Sequence, residues 1–474
     1  MKYLKNNLDL IHKLVKHAAN TAAESIPEEV MKKAGTLFMD TVACVLSGSS
    51  AAGIKELEEV MSFWGGNSQS TILSFNKKTS APNAAFLNSV MAHANDFDDT
   101  HDAAINHGCV TIVPAMLAVS EALPSSDFLS EKRCNRIISG KDFIAALAVG
   151  LDISNRLGMA FIPWLHTGWL PTTLWGPFAA AAACGRLIGL NEEEMHNAFG
   201  LAYSQIHGNR QALADGVLAK RMQPGFSAMA GVNAAFFAAN GITGAKNIID
   251  GDFGISALYT GSNIDRSFLT DNLGNVYETM NISIKPYPCC RCTHPVIDAA
   301  LYLKEKHSLK WKDIIEGTIF IPPNSMGQIG NKFEIRDNPT VDAQFSAQYT
   351  ASLAFLKGRP RLEDFQKDAV MSNTDVLSLV SRFKTVEFEK DKSGLTPVEM
   401  HITTKDGSVY KTRVENPKGG RDNPLTKDEM EFKFMNCINN SIKDYSVQKA
   451  RTIFDGLGNV LDVENIVNII QLLD

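Results

Sequence analysis

A chain of 474 residues with 45% hydrophobic and 21% charged side chains is too apolar to be disordered and too long for one core, so two domains are expected. A formal net charge of −6 without any lysine and arginine block excludes nucleic acid and an anionic membrane as main partners and leaves small molecules. The opening MKYLKNNLDLIHKL lacks a signal-peptide core and no apolar run reads as a membrane span, so a cytoplasmic location is expected, with the eight cysteines as reduced thiols.

From residue 8 to about 275 the punctuation is helical. Pro27 and Pro82 suit first-turn positions after caps at Ser25 and Ser80, and Gly48 follows IPEEVMKKAGTLFMDTVACVLS as a stop. Asn191 and Glu194 have the spacing of a capping box. Small residues dominate FIAALAVGLDIS, PFAAAAACGRLIGL and FSAMAGVNAAFFAANG, which lets helix axes approach closely; Asp152 and Arg156, four apart, read as a structural ion pair.

Near residue 276 the texture changes. GTIFIP, KTVEFE and VEMHITTKDGSVYKTRV alternate with period two, and Asp406-Gly407 sits at a hairpin turn. Helical patterns persist at VDAQFSAQYTASLAFL and TDVLSLVSRF, so 276–420 reads as an α+β domain. After NPKGGRDNP, Thr426 and Glu429 cap a return to helix, and 421–474 is expected to rejoin the helical domain begun by 1–275. The fold class is mainly α, with an inserted α+β domain.

Four stretches carry more reactive groups than packing needs. HANDFDDTHDAAINH (93–107) follows a helix whose apolar stripe is Phe86, Val90 and Phe97; if that helix persists, Asp96 and Thr100 share one face. HTGWLPTTLWGPF (166–178) combines His166 with tryptophans and threonines on an irregular turn. GNRQALADGVLAKRMQPGFSAMAG (208–231) brings Arg210, Lys220 and Arg221 to the start of an apolar helix, a receptor for an anion. IKPYPCCRCTHP (284–295) places Lys285, Cys290, Arg291 and His294 at the junction of the two textures. The one- and two-residue cysteine spacings do not match CxxC zinc pairs, so no metal is expected, and no nucleotide motif is present. Cations, a carboxylate, a hydroxyl and a histidine without a cofactor suit proton transfer on a small di- or tricarboxylic acid.

These stretches, with DTVACVLSG near the start, agree in order and spacing with the MmgE/PrpD family, which the chain resembles over nearly its whole length. The family includes 2-methylcitrate dehydratase, cis-aconitate decarboxylase and iminodisuccinate epimerase. The resemblance implies a homodimer, a helical domain with an inserted lid, and cofactor-free catalysis between the two. It implies functional roles for Asp96, Thr100, His107, Lys220 and Lys285, and the four stretches themselves add Arg221, Arg291, His166 and Cys290 as substrate-binding candidates. Two positions depart from the family: Leu170 stands where many members have a histidine in G-[FW]-H-x-T, and Cys290 where decarboxylase-like members have one after the KPYP-type lysine. The expected activity is a hydro-lyase resembling 2-methylcitrate dehydratase, with decarboxylation, epimerisation and non-catalytic carboxylate binding as alternatives.

Overall fold

The computed structural model describes residues 10–162, 168–261, 264–388 and 394–473. Glu28–Gly48 forms α1, starting directly after Pro27, whose fixed φ suits a helix start. Ala81–His93 forms α2, with Ser80 at the N-cap and Pro82 in the first turn. Gly48 is the last residue of α1 and ends it without a left-handed cap. A Cβ there would stand 1.9 Å from the Met91 carbonyl oxygen, so this glycine is required by the close crossing of α1 and α2.

Cys109–Ala122 (α3), Gly140–Phe161 (α4), Pro171–Ile188 (α5), Glu192–Tyr203 (α6) and Ala219–Ala239 (α7) complete the centre of the first core. The α6 capping box forms between Asn191 and Glu194. Small residues set the spacing of α5 and α7: a Cβ on Gly231 would lie 2.3 Å from that of Ala180. Contrary to the sequence expectation, α4 is long and apolar enough to cross a membrane by length and composition, yet 94% of its apolar window is buried inside the protein. It also carries the Asp152–Arg156 pair at 2.9 Å, and Arg156 donates further to the Phe268, Asp271 and Val276 carbonyls, as an internal brace would.

The first half is not purely helical. Ser70–Ile72 pairs with Lys77–Thr79, and Thr100–His101 (β1) pairs antiparallel with Ile282–Ser283 (β2). That second ribbon brings the loop after α2 beside the segment leading to Lys285.

A second apolar core, built from residues such as Val296, Ile319, Tyr349, Val376 and Met400, lies between positions 287 and 402. It packs His294–His307 (α8) and a second helix on a sheet, with Pro339–Gln344 (α9) set against that second helix, Ala347–Lys357 (α10). The strands are Ile314–Ile321 (β3), Phe383–Glu387 (β4), Val398–Thr404 (β5) and Val409–Val414 (β6), in the order β4-β3-β5-β6, with β3 and β4 parallel and the rest antiparallel. Burial alternates along β5, the mark of a half-covered sheet. The continuous helical pattern at VDAQFSAQYTASLAFL is broken at Phe345 and Ser346, because the Ser346 hydroxyl accepts the Tyr349 amide and caps a new helix. Lys427–Asn439 (α11) then returns to the first core, where Phe434 is buried, with a capping box between Thr426 and Glu429 at its start.

Candidate active site

The helix expected to carry Asp96 and Thr100 on one face stops at His93. Asp96 adopts φ +53° and Thr100 lies in β1, so the two reach the same cavity along a folded loop and not one turn apart on a helix. Short polar side chains tolerate the left-handed region, which lets the chain turn sharply here. Four carbonyls of this loop are then held by four distant side chains: Asn95 by Gln344 Nε2 at 2.9 Å, Asp96 by Lys285 Nζ at 2.9 Å, Phe97 by Lys433 Nζ at 2.8 Å, and Asp99 by His107 Nδ1 at 2.6 Å. Lys433 is itself buried, lies over the Phe97 ring and pairs with Asp40 at 2.5 Å, which ties α1 and α11 to the loop.

The Asp96 carboxylate sits between two ammonium groups, Lys220 at 2.8 Å and Lys285 at 3.2 Å. Burial alone would raise its pKa, but the two cations outweigh burial and hold it well below the usual carboxylate range. Burial likewise works against the charge on Lys285, and Asp96 more than offsets it, keeping the fully buried lysine protonated.

Behind this pair, one oxygen of Asp98 meets two imidazoles, His93 Nδ1 at 3.0 Å and His107 Nδ1 at 2.9 Å. The Asp99 carbonyl can only accept, so His107 Nδ1 carries a proton and Nε2 is the ring nitrogen left to act as a base. His93 is driven to a pKa of about 4 by burial, against the pull of Asp98, and stays neutral. Burial and the neighbouring Asp98 charge push Asp99 up to about 7, although its carboxylate accepts the Cys109 amide.

A cavity of about 520 Å³ opens between the two cores over these groups. Asp96, Thr100, His107, Lys220 and Lys285 all line it, as do Cys290 and Arg291, and both departures from the family pattern, Leu170 and Cys290, face the same space. Lys220 lies inside the first turn of α7 and not ahead of it. Arg221 points away from this cavity and donates to the Ala52 carbonyl. Arg291 lines the cavity, but its guanidinium is committed to the protein: it bonds Asp102, Ser283, His294 and the Lys418 carbonyl. His166 falls outside the described residues.

Arg210, named in the sequence with Lys220 and Arg221 as part of an anion receptor, lines the cavity, whereas sequence reasoning gave no role to the supporting groups His93, Asp98 and Gln344. His93 and Asp98 stood within the quoted cluster, but only the turn after α2 brings them together. Gln344 gave no signal, since its role depends on the break between α9 and α10.

Among the described residues, His93, Asp98 and His107 are the one group with the composition of a metal site. Both Nδ1 atoms stand at hydrogen-bond distance from a shared oxygen, so a cation there would displace both protons. Cys289 and His294 are engaged locally, Cys289 with the Thr293 hydroxyl and His294 with Arg291 and the Cys289 carbonyl.

Two family models match the chain, the MmgE/PrpD N-terminal domain over residues 12–266 and the MmgE/PrpD C-terminal domain over residues 287–458. A cis-aconitate decarboxylase-like protein, oryM, of Aspergillus oryzae is 27% identical over 461 residues, spanning 94% of this chain and 94% of the relative. The cis-aconitate decarboxylase of Aspergillus terreus is 26% identical across 96% of this chain and 94% of its own length, and that of Homo sapiens 24% identical across 93% and 89%. With matches covering both cores and a cavity lined from both, the chain belongs to the MmgE/PrpD family.

Proposed function

We propose that the chain is a cofactor-independent lyase that moves a proton at the carbon next to a carboxylate of a small organic acid, most simply in a dehydration of the 2-methylcitrate dehydratase kind. The observation that carries this reading is His107: its Nδ1 proton is fixed by the Asp99 carbonyl and the Asp98 carboxylate, so Nε2 is the base, in a cavity that also holds two lysines. Lys220 uses one of its three N–H donors on Asp96 and presents the others to a substrate carboxylate. Positive charge beside that carboxylate stabilises the electron pair left when the C–H bond breaks.

Asp96 is held ionised, so it orients the two ammonium groups and does not act as the acid. In the dehydration the electron pair forms the double bond, the C–O bond breaks, and the departing hydroxide takes a proton from Lys220 while the Thr100 hydroxyl donates a hydrogen bond to it. Decarboxylation is the second reading, favoured by the names of the relatives at 24–27% identity. It shares the carbanion-like electron pair and differs in which bond breaks. Incubating the purified chain with 2-hydroxy di- and tricarboxylates and with their unsaturated counterparts, followed by NMR, separates the two: loss of water supports the first reading, loss of carbon dioxide the second, and no conversion of any acid overturns both.

A further inference from the structure

The cavity lining is part charged and part apolar, in proportions that bear on the ligand. Among the described lining residues, the cations are Arg210, Lys220, Lys285 and Arg291 and the carboxylates are Asp96 and Asp102. Arg291 and Asp102 neutralise each other at 3.2 Å, and Asp96 offsets one of its two lysines. Arg210 is exposed at the cavity, and its guanidinium makes no bond within the described residues. What remains is a surplus of two positive charges, the complement of two carboxylates. A third carboxylate would find no further cation among the described lining residues, and an ion desolvated without a partner is costly.

Part of the lining is apolar. Ile105, Ile162, Trp169, Leu170 and Leu395 contribute it, and Arg210 stands beside Trp169 and Leu170, its amide bonded to the Gly168 carbonyl, so a carboxylate on Arg210 leaves the substituent next to it against these side chains. Ile105 stands out among them. It is a β-branched residue at φ +49°, 51% exposed, in a loop closed by the His101–Asn106 bridge. A β-branched side chain in the left-handed region costs on the order of 1–3 kcal/mol, and no protein core is gained in return. An apolar ligand group covering Ile105 and Leu170 would account for both the strain and the exposure.

We infer that the acid this site takes is a dicarboxylate bearing an apolar substituent, held by Lys220 and Arg210 at its carboxylates and by Ile105, Trp169 and Leu170 at its alkyl group. This rests on the proposed reading for the chemistry of the site and goes beyond it by fixing charge and shape. Leu170 then sets specificity, since the side chain at this position decides whether the far end of the cavity accepts a methyl group or a charge.

The test compares 2-alkylmalates, with methyl to butyl substituents, against citrate and 2-methylcitrate on the full chain, reading both binding by calorimetry and turnover by NMR, and repeats both on Leu170→Arg. The wild type should bind and convert an alkylmalate at least tenfold better than either tricarboxylate, and Leu170→Arg should reverse that order. Equal or better use of a tricarboxylate by the wild type overturns the inference and leaves the proposed chemistry standing. Tight alkylmalate binding without conversion of any acid overturns the lyase reading and leaves the ligand class standing. Absence of binding by every acid overturns both.

Discussion

Lys285 Nζ lies 3.2 Å from the Asp96 carboxylate and 2.9 Å from the carbonyl of the same residue, so one buried ammonium fixes both the charge and the backbone of the loop that carries the site. Removing Asp96 strands the buried ammonium, and removing Lys285 takes away the donor that holds the Asp96 carbonyl and leaves its carboxylate to Lys220 alone. Asp96→Asn, which keeps a residue tolerant of φ +53°, and Lys285→Met should each lower stability by about 3–5 kcal/mol in urea unfolding. A change below about 1 kcal/mol in both would show that the pair does not brace the loop.

Lys220 differs from Lys285 in being 19% exposed at its side chain, with Asp96 as its one ion-pair partner among the described residues. Lys220→Ala should therefore remain folded, because Asp96 keeps Lys285, while kcat/KM falls by roughly 10²-fold as a carboxylate anchor and donor are lost. Unfolding at ordinary temperature with unchanged affinity per folded molecule would make this lysine structural.

Asp98 is not among the residues lining the 520 Å³ cavity, yet it holds His93 and His107 through a single oxygen. Asp98→Asn should lower turnover by roughly 10-fold or more and shift the acidic limb of the pH–rate profile, with KM little changed, since the residue acts through the orientation and proton of His107. A purely structural role would reduce the folded fraction and leave the profile of the remaining enzyme in place.

Asp99 titrates at about 7 when folded and near 3.9 in an unfolded chain. Between these values the folded state binds more protons, so this residue lowers stability as pH rises from about 4 to 7 and adds no further slope above that. His93, at about 4 folded against ~6.5 unfolded, acts in the opposite sense below pH ~6.5, which is why the comparison must be made between two proteins that both contain it. The stability of Asp99→Asn relative to the wild type should increase by on the order of 2 kcal/mol between pH 5 and 8. A pH-independent difference would place the Asp99 pKa near its ordinary value.

Much of the scaffold was legible because it rests on local rules. The capping boxes at Asn191 and Thr426 and the alternation in Val398–Thr404 are short-range consequences of side-chain chemistry, and the structure has each of them. The cavity-lining set Asp96, Thr100, His107, Lys220, Lys285 and Cys290 was also named from the motifs, though the helix invoked to align Asp96 with Thr100 ends too early. What stayed hidden depends on contacts remote in sequence. Arg221 and Lys220 are adjacent, and only packing against the Ala52 carbonyl shows that one turns away from the cavity. Arg291 carried the signature of a ligand-binding cation, but its donors are taken up by Asp102, Ser283, His294 and Lys418, partners that no local pattern points to. Gly48 looked like a stop signal, while its cause is the backbone of Met91 on another helix.

The claim that most of the account depends on is that His107 Nε2 takes a proton from the carbon beside a substrate carboxylate. Incubation in heavy water with an acid that the wild type binds, followed by NMR, measures this step even without net conversion. The account predicts deuterium incorporation at that carbon by the wild type and at least a 10²-fold slower incorporation by His107→Ala at equal folded concentration. Incorporation by His107→Ala at the wild-type rate would contradict it.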